Sequence, residues 1–444
     1  MKKKWKGIAV AMATVGALVA CGSAAVAIND AVKAEEKAKS SAEKETVYEM
    51  VDPTFFDLAR YDNAKYLQYY WDNRVMYNES AMIVKNADGT LDPVKLLYKA
   101  DQIISVRSAD LTKKYEEGVD YTLKDGVLTV LPTGNIPVLA YDKLYFNQKP
   151  AVGSVGGTDG NGYFPTVDGK YEKYVEAGIL YDYQIAVTYM HSDKGNYTVP
   201  QTQSEKLDGF IGKLERGESV NIACLGDSIS NGSNASGFFA DKLNPCMPTY
   251  FGLFGDYVKA KYGYQRIMLF ENESDYVADT QNEGVRIKMT NFSVGGKDTY
   301  WGVQQIQAVS NVKPDLVILG FGMNDGSAYT KPQNYYNNMV KLVDGIRQNN
   351  PDCEFIVIGT MLPNEKICWS EGGASILGYQ EDYLAELKTL SREKQGVALA
   401  DITTLHKEYL NVKNYRDMTG NNVNHPNDFL VRLYAQTIVK TIFG

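Results

Sequence analysis

The chain has 444 residues, a length that fits two or three domains. Hydrophobic residues make up 44% of it and charged residues 23%, as in ordinary soluble globular proteins, so a chain that is mostly disordered or membrane-embedded is excluded. The formal net charge of −8 at pH 7 argues against nucleic acid or anionic lipid as the main partner.

The N-terminal segment has the pattern of an export signal, with an apolar h-region over residues 8–20. The n-region before it contains Lys2, Lys3, Lys4 and Lys6. Leu18-Val19-Ala20-Cys21 resembles a bacterial lipobox, which implies cleavage before Cys21 and lipidation of its thiol. An uncleaved membrane anchor is the alternative, because the uncharged run continues to Ile28 and could just span a bilayer.

A small, charged segment follows this signal. Residues 35–44 (EEKAKSSAEK) contain no apolar anchor, so residues 21–46 are predicted to form a disordered tether. Loss of residues 1–20 would remove four Lys and no acidic residue, which changes the formal charge from −8 to −12. We therefore expect an acidic, extracellular body that touches the bacterial cell membrane only through its N-terminal lipoprotein anchor.

Residues 47–200 have the pattern of antiparallel β-structure. Val119–Leu123 and Val127–Leu131 flank an Asp125-Gly126 pair, which predicts a hairpin because Gly accepts the positive φ of the turn. Other predicted strands are Ala81–Val84, Val138–Phe146 and Leu180–Met190. No long helical pattern interrupts this region, so we interpret it as an antiparallel β-sandwich domain that ends near Pro200.

Residues 201–444 alternate strand-like and helix-like runs. Five strand-like runs predict the strands of a sheet: Ile222–Leu225, Val285–Val294, Asp315–Gly320, Phe355–Gly359 and Val397–Asp401. Helix-like segments are Ser204–Arg216, Tyr250–Tyr262, Tyr300–Val309, Asn334–Arg347, Tyr379–Lys394 and Phe429–Ile442. This alternation predicts an α/β domain with a doubly wound, parallel, five-stranded sheet, whose ligands would bind at the carboxyl ends of the strands.

Four short blocks of turn-type and polar residues lie at the predicted strand ends or in a loop. They are Gly226-Asp227-Ser228, Gly295-Gly296, Phe321–Asp325 (FGMND) and Asn424–Asp428 (NHPND). Ser, Gly, Asn and His in this order resemble the SGNH (GDSL) hydrolases over roughly residues 207–444. A β-sandwich followed by such a domain also resembles the two-domain carbohydrate esterases. The resemblance implies an SGNH, flavodoxin-like fold and ester hydrolysis.

The same resemblance assigns the site residues. Ser228 would be the nucleophile and His425 the base that takes its proton, since a serine hydroxyl is weak without one. The oxyanion hole would consist of the backbone N–H groups of Ser228 and Gly295 and the side-chain amide of Asn324. Taken singly, these residues also suit a helix N-cap, a turn glycine and an Asx-turn, but their joint occurrence favours the active site.

One position departs from the pattern of the family. The family usually has Asp three residues before the His, and here that residue is Asn422. An amide oxygen can accept from Nδ1–H but carries no charge, and in serine proteases the change from Asp to Asn costs about 10⁴ in rate. Asn422 or a backbone carbonyl is the favoured orienter of His425, with Asp417 and Asp428 as further alternatives.

The remaining histidines and cysteines predict no second site. His406 is predicted on a helix surface and His191 as a structural residue at the end of the β region. Cys224 should be buried and unpaired in the strand before Ser228. The other cysteines show neither a complete disulfide framework nor the spacing of a zinc site, so no metal or cofactor is expected.

The expected function is that of a serine esterase that removes small acyl groups, most readily acetyl, from an extracellular polysaccharide. The predicted β-sandwich, the surface anchor and the acidic body suit a glycan better than a lipid. A lipase or lysophospholipase of the same fold is the first alternative. A surface glycan-binding protein with a decayed catalytic domain is the second, with Asn422 as its sign, and a transacylase with the same residues also stays open.

Overall fold

The computed structural model describes residues 52, 55–61, 67–71, 73–158, 160–176, 178–238, 243–271, 274 and 286–444. The export signal, Cys21 and the tether over residues 21–46 lie outside the described residues and stay predictions. The described residues from 55 onward belong to one compact unit, Pro53–Gly444. None of its described helices has the length and apolar character needed to cross a membrane. The predicted division at residue 200 also stays a prediction.

The N-terminal region contains antiparallel sheets, as predicted. Its strands are β1 (Val75–Met82), β2 (Gln102–Ser108), β3 (Lys114–Tyr115), β4 (Tyr121–Lys124), β5 (Val127–Val130), β6 (Tyr145–Phe146), β7 (Tyr163–Pro165), β8 (Tyr171–Lys173) and β9 (Gln184–Met190). They form a four-stranded sheet β1-β9-β2-β3, a hairpin β4-β5 and a three-stranded sheet β6-β8-β7. Asp125 and Gly126 both have positive φ in the hairpin turn, which confirms the Asp-Gly prediction.

One strand prediction in this region is wrong. Residues 138–146 contain the short helix α1 (Tyr141–Leu144), and only Tyr145–Phe146 at its end is a strand. A short apolar run does not distinguish a strand from a buried helical turn by its periodicity. Here the buried side chain of Leu144 packs with Met82 and Leu180 in a local core, and this packing decides the conformation.

A parallel sheet of six strands forms the centre of the C-terminal region. The strands are β10 (Val220–Gly226), β11 (Ile267–Phe270), β12 (Ile287–Asn291), β13 (Leu316–Gly320), β14 (Glu354–Gly359) and β15 (Val397–Asp401). They lie in the order β11-β12-β10-β13-β14-β15, and all neighbours are parallel. The doubly wound parallel sheet is therefore confirmed, with six strands instead of five. The missed strand β11 lies at an edge, where Leu269 is exposed and weakens the buried-strand pattern.

Helices connect and flank these strands. They are α2 (Asp208–Glu215), α3 (Ser228–Asn231), α4 (Tyr250–Tyr262), α5 (Thr299–Val303), α6 (Ile306–Asn311), α7 (Met323–Ser327), α8 (Pro332–Asn349), α9 (Tyr383–Glu393), α10 (Ile402–Leu410) and α11 (Asp428–Phe443). Single 3₁₀ turns occur at Leu58–Arg60, Ile179–Tyr183, Ser204–Lys206 and Tyr415–Asp417. Helix α4 shows how local sequence sets the bounds: the Thr249 side chain caps its first turn, and Gly263 ends it in the left-handed conformation.

Buried polar contacts join the antiparallel region to the C-terminal region. Glu79 on β1 forms an ion pair with Lys413 at 2.6 Å, and both side chains are fully buried. Arg432 on α11 donates to the carbonyl oxygens of Tyr77 and Asn78 on the same strand, at 2.9 and 2.7 Å. A buried charge without a partner is costly, so these contacts fix how β1 packs on helix α11 and on the segment that follows α10.

Candidate active site

Ser228, the predicted nucleophile, lies at the carboxyl end of the central strand of the parallel sheet. Strand β10 is flanked by β12 and β13, and the chain adds strands on both sides of it, which makes this edge a topological switch point. Ser228 begins helix α3, two residues after β10 ends at Gly226. A Cβ at Gly226 would lie 2.3 Å from Ser230 Oγ and 2.5 Å from the carbonyl oxygen of Gly320. Only glycine therefore fits at this turn.

Ser228 and His425 are brought together as the family pattern implies. Ser228 Oγ lies 2.8 Å from His425 Nε2, within hydrogen-bond distance. Both side chains are largely buried, at 6% and 9% exposure. With the single N–H proton of the neutral imidazole on Nδ1, the unprotonated Nε2 accepts from the Ser228 hydroxyl, which is the arrangement of a nucleophile and its general base.

A polar loop holds His425 in this place. Asn421 Oδ1 accepts hydrogen bonds from the backbone N–H groups of Val423, Asn424 and His425, at 2.9, 3.0 and 3.1 Å. The side chain of Asn427 then caps helix α11 by accepting from the N–H of Leu430. The His425 backbone is thus fixed from both ends of the loop.

Two side chains lie against the other ring nitrogen of His425. Asn234 Oδ1 is 2.6 Å from Nδ1, and Glu176 Oε1 is 3.5 Å from the same atom. Asn234 comes from the loop that follows the nucleophile helix, whereas Glu176 comes from the antiparallel region, three residues after β8. Neither residue was predicted from the sequence.

The side chains that were predicted to orient the His425 imidazole make other contacts. Asn422 is buried, and its Nδ2 donates to Glu172 Oε2 at 3.1 Å and to the Lys173 carbonyl at 3.3 Å. The Asp417 carboxylate accepts from backbone N–H groups at residues 82 and 414. Asp428 Oδ1 accepts from Ser236 N and from the Tyr181 hydroxyl. The prediction that Asn422 orients His425 is therefore wrong: Asn422 anchors its loop to the antiparallel region, and Asn234 Oδ1 lies at His425 Nδ1 instead.

The predicted oxyanion donors come from the neighbouring strand ends. Gly295 follows β12, and a Cβ built on it would lie 3.7 Å from Ser228 Cβ, so this glycine lies against the predicted nucleophile. Asn324 follows β13 in helix α7, and its Nδ2 donates to the carbonyl of Lys297 at 2.9 Å. This bond uses one of the two N–H groups of the amide and leaves the other for a ligand.

A buried carboxylate joins the two segments that carry the predicted oxyanion donors Gly295 and Asn324. Asp325 accepts from the backbone N–H of Thr299 at 3.1 Å and from its hydroxyl at 2.5 Å. Burial raises the pKa of Asp325 to about 6. Burial also raises the pKa of Asp227, beside the nucleophile, to about 7, and the charge of Asp325 adds to this effect. Asp227 Oδ1 accepts from the N–H of Ile229, so this residue caps the nucleophile helix and does not contact His425.

The other two histidines and Cys224 are buried. His191 stacks on Tyr98 with a centroid distance of 3.9 Å. His406 is fully buried, its Nδ1 accepts from Leu362 N, and burial lowers its pKa to about 3, so the prediction of a surface position is wrong. Cys224 is buried and unpaired as predicted. The described residues contain no group of His, Cys, Asp or Glu that could hold a metal ion.

Several solved structures are similar to part of this chain. A two-domain esterase active on acetylated mannans has 18% identity and a TM-score of 0.38, over 54% of each chain. A catalytic mutant of the acetylxylan esterase Axe2 from Geobacillus stearothermophilus has 15% identity and a TM-score of 0.35, over 52% of this chain and 96% of that one. A carbohydrate esterase of family 3 from Talaromyces cellulolyticus has 17% identity and a TM-score of 0.33, over 49% and 94%. The chain spans about half the length of the two-domain esterase.

The family model of the GDSL-like lipases and acylhydrolases matches residues 224–429. The matched range begins in β10, four residues before Ser228, and ends four residues after His425, so it contains all four blocks. No curated protein matches the chain. The resemblance to the SGNH (GDSL) hydrolases is confirmed for this part of the chain, and it supports esterase activity.

Proposed function

We propose that this chain is a serine esterase that removes small acyl groups, acetyl first, from an extracellular polysaccharide through an acyl-enzyme. The observation that carries the proposal is the 2.8 Å hydrogen bond between Ser228 Oγ and His425 Nε2. It joins residues 197 positions apart in the sequence, at the edge of the sheet where Gly295 and Asn324 also lie. A decayed binding domain would not need this geometry.

In the first half of the reaction, Ser228 Oγ attacks the ester carbonyl carbon while His425 Nε2 takes the hydroxyl proton. The carbonyl oxygen becomes an oxyanion, which the N–H groups of Ser228 and Gly295 and the free N–H of Asn324 stabilise. The intermediate collapses, His425 gives the proton to the leaving sugar oxygen, and Ser228 carries the acyl group. The Ser228 proton therefore leaves with the sugar alcohol, after passing through Nε2.

In the second half, a water molecule replaces the sugar alcohol. His425 Nε2 takes one of its protons as the water oxygen attacks the acyl carbon, and the same donors stabilise the second oxyanion. Collapse releases the carboxylic acid and returns the proton to Ser228 Oγ. No group beyond the side chains and backbone named here is required for this cycle.

Aromatic side chains near the site support a glycan substrate. Trp369 is 43% exposed and packs on Phe164 at a centroid distance of 5.2 Å. Phe164 in turn packs on Tyr174 at 4.9 Å, and the Tyr174 hydroxyl donates to Glu176, the residue beside His425. An indole offers a flat apolar face with a polar edge, which suits the face of a sugar ring.

The lipobox at Cys21 supports attachment of this esterase to the outer face of the bacterial cell membrane.

The experiment measures acetate release from a panel of acetylated glycans, beside aryl acetate, butyrate and palmitate esters. We expect release from at least one glycan, and rates on the aryl esters that fall as the acyl chain lengthens. Ser228→Ala should lower turnover by at least ~10³-fold with a nearly unchanged melting temperature, since the residue lies at a sheet edge.

Ser230→Ala is the matched control. Its hydroxyl, on the same short helix, bonds to the Tyr250 hydroxyl at 2.6 Å instead of to His425. This variant should keep its turnover even if it is less stable. Full activity of Ser228→Ala would refute the proposed mechanism. Faster hydrolysis of the palmitate ester would favour the lipase alternative, and no hydrolysis of any ester would favour a decayed binding protein.

A further inference from the structure

The candidate active site lacks the aspartate that usually stands three residues before the base, yet polar side chains still surround Nδ1 of His425. Asn234 Oδ1 and Glu176 Oε1 both lie within 4 Å of it. In a catalytic triad one carboxylate performs two tasks: it fixes the tautomer of the imidazole, and it stabilises the imidazolium that forms during the reaction. The two tasks can be separated, because the first needs a hydrogen-bond acceptor and the second needs a negative charge.

Glu176 is held in place to supply that charge. Its Oε1 accepts from the Tyr174 hydroxyl at 2.5 Å and from Asn421 Nδ2 at 3.1 Å, besides its contact with His425. Burial alone would raise the pKa of Glu176, but its interaction with His425 and these hydrogen bonds outweigh burial and lower the pKa. The side chain is 22% exposed, so water screens it only in part. Asn421 also organises the loop of His425, which couples the two residues.

Asn234 is placed to fix the tautomer. Its 2.6 Å contact makes Oδ1 the acceptor for Nδ1–H, which leaves Nε2 free to accept from Ser228. Asn234 has a φ of 66°, a conformation that Asn and Asp tolerate better than other side chains. Its Nδ2 is buried and has no hydrogen-bond partner among the described residues. A carboxylate at this position would therefore lose no hydrogen bond.

We propose that the role of the missing triad acid is divided between two side chains, with Asn234 as the acceptor that orients His425 and Glu176 as the carboxylate that stabilises its imidazolium. The inference rests on the proposed esterase mechanism. When Ser228 attacks, its proton moves to Nε2 and the Nδ1 proton stays in the bond to Asn234. Glu176 remains ionised and receives no proton. Both are positioning residues, since they act on the substrate only through His425.

Glu176→Gln tests the charge while keeping the shape. The amide oxygen can still accept from Tyr174 and Asn421, so a purely structural role would survive this substitution. An opposite charge within 4–6 Å shifts a titration by about 1–3 pH units, so we expect kcat on an aryl acetate to fall by about 10- to 100-fold with little change in KM. Without the carboxylate the imidazole protonates less readily, so the acidic limb of the kcat/KM profile should move to lower pH by about one unit.

A second substitution provides the rescue. Adding Asn234→Asp to Glu176→Gln returns a carboxylate to Nδ1 without loss of a hydrogen bond, so the turnover of the double variant should exceed that of Glu176→Gln by about tenfold, and the acidic limb should move back. Glu371→Gln is the matched control: this carboxylate is 52% exposed and pairs with Lys149 at 2.7 Å, away from His425. It should leave kcat and the pH profile unchanged.

The outcomes separate this inference from the proposed function. If Glu176→Gln keeps full turnover and an unshifted profile while Ser228→Ala is inactive, the division of roles is refuted and the esterase mechanism stands. The division of roles is refuted as well if Glu176→Gln loses activity only in proportion to its melting temperature, or if Asn234→Asp gives no rescue. If Ser228→Ala is active, the esterase mechanism itself fails.

Discussion

Replacement of Asn324 by Ala tests the proposed oxyanion hole at its one side-chain donor. The substitution removes both N–H groups of the amide. One of them bonds to the Lys297 carbonyl at 2.9 Å, and the other is the proposed donor to the oxyanion. Removal of one such donor costs about 10²–10³ in kcat, or about 2.7–4 kcal/mol of transition-state stabilisation. The lost bond to Lys297 should lower stability by only about 1 kcal/mol, because water can replace the amide at this half-buried carbonyl.

The assay compares kcat and KM for an aryl acetate, together with the free energy of unfolding in urea. Asn324→Ala should lose turnover by the stated factor while KM stays within about twofold, because the oxyanion exists only in the transition state. Asn337→Ala, an exposed asparagine on helix α8, is the control and should change neither constant. A variant with normal kcat and a raised KM would refute the oxyanion role and make Asn324 a residue that binds the ground state.

Two further predictions concern stability. Glu79→Gln leaves the fully buried ammonium of Lys413 without its counter-charge, so the free energy of unfolding in urea should fall by about 3–5 kcal/mol. A second change, Lys413→Met, should restore part of this loss. Equal losses in the single and double variants would contradict this explanation. Burial raises the pKa of Asp227 to about 7, so the folded state favours the protonated carboxyl. The contribution of this group to the free energy of unfolding is therefore present at low pH and is lost as pH rises through 7. Asp227→Asn should therefore remove ~2–3 kcal/mol of the loss in unfolding free energy between pH 5 and pH 8, and an unchanged pH dependence in urea titrations would refute this.

The parallel sheet was predictable because its strands are buried on both faces and alternate with helices. Runs such as Leu316–Gly320 are continuously apolar, which is the signal of a parallel strand between two helical layers. The signal failed at β11, an edge strand that buries less of its surface. It also failed at residues 138–146, where tertiary packing of Leu144 selects a helical turn that the local apolar pattern does not distinguish from a strand.

The candidate site also contains residues that the sequence predicted and residues that it did not. Ser228, Gly295, Asn324 and His425 follow from the sequence because each stands in a block next to a strand or helix, and the order of the blocks carries the information. Glu176 has no such block. It is 249 residues from His425 in the sequence, and only the packing of the antiparallel region brings it to the imidazole. Asn234 left a weak signal, six residues after Ser228 in a polar loop, which position alone does not distinguish from a turn.

In the proposed mechanism, the contacts around His425 give the antiparallel region a part in the chemistry. Gln184 on β9 donates to the Thr419 carbonyl at 2.8 Å and accepts from Asn427 at 3.1 Å, so it contacts the histidine loop on both sides of His425. Glu176 contacts the imidazole itself. A shift of the antiparallel region would therefore move the base and its counter-charge together, and a displacement of about 1 Å can cost about 10² in rate. The buried pair of Glu79 and Lys413 opposes such a shift, so this stabilising contact also helps to maintain the geometry of the proposed active site.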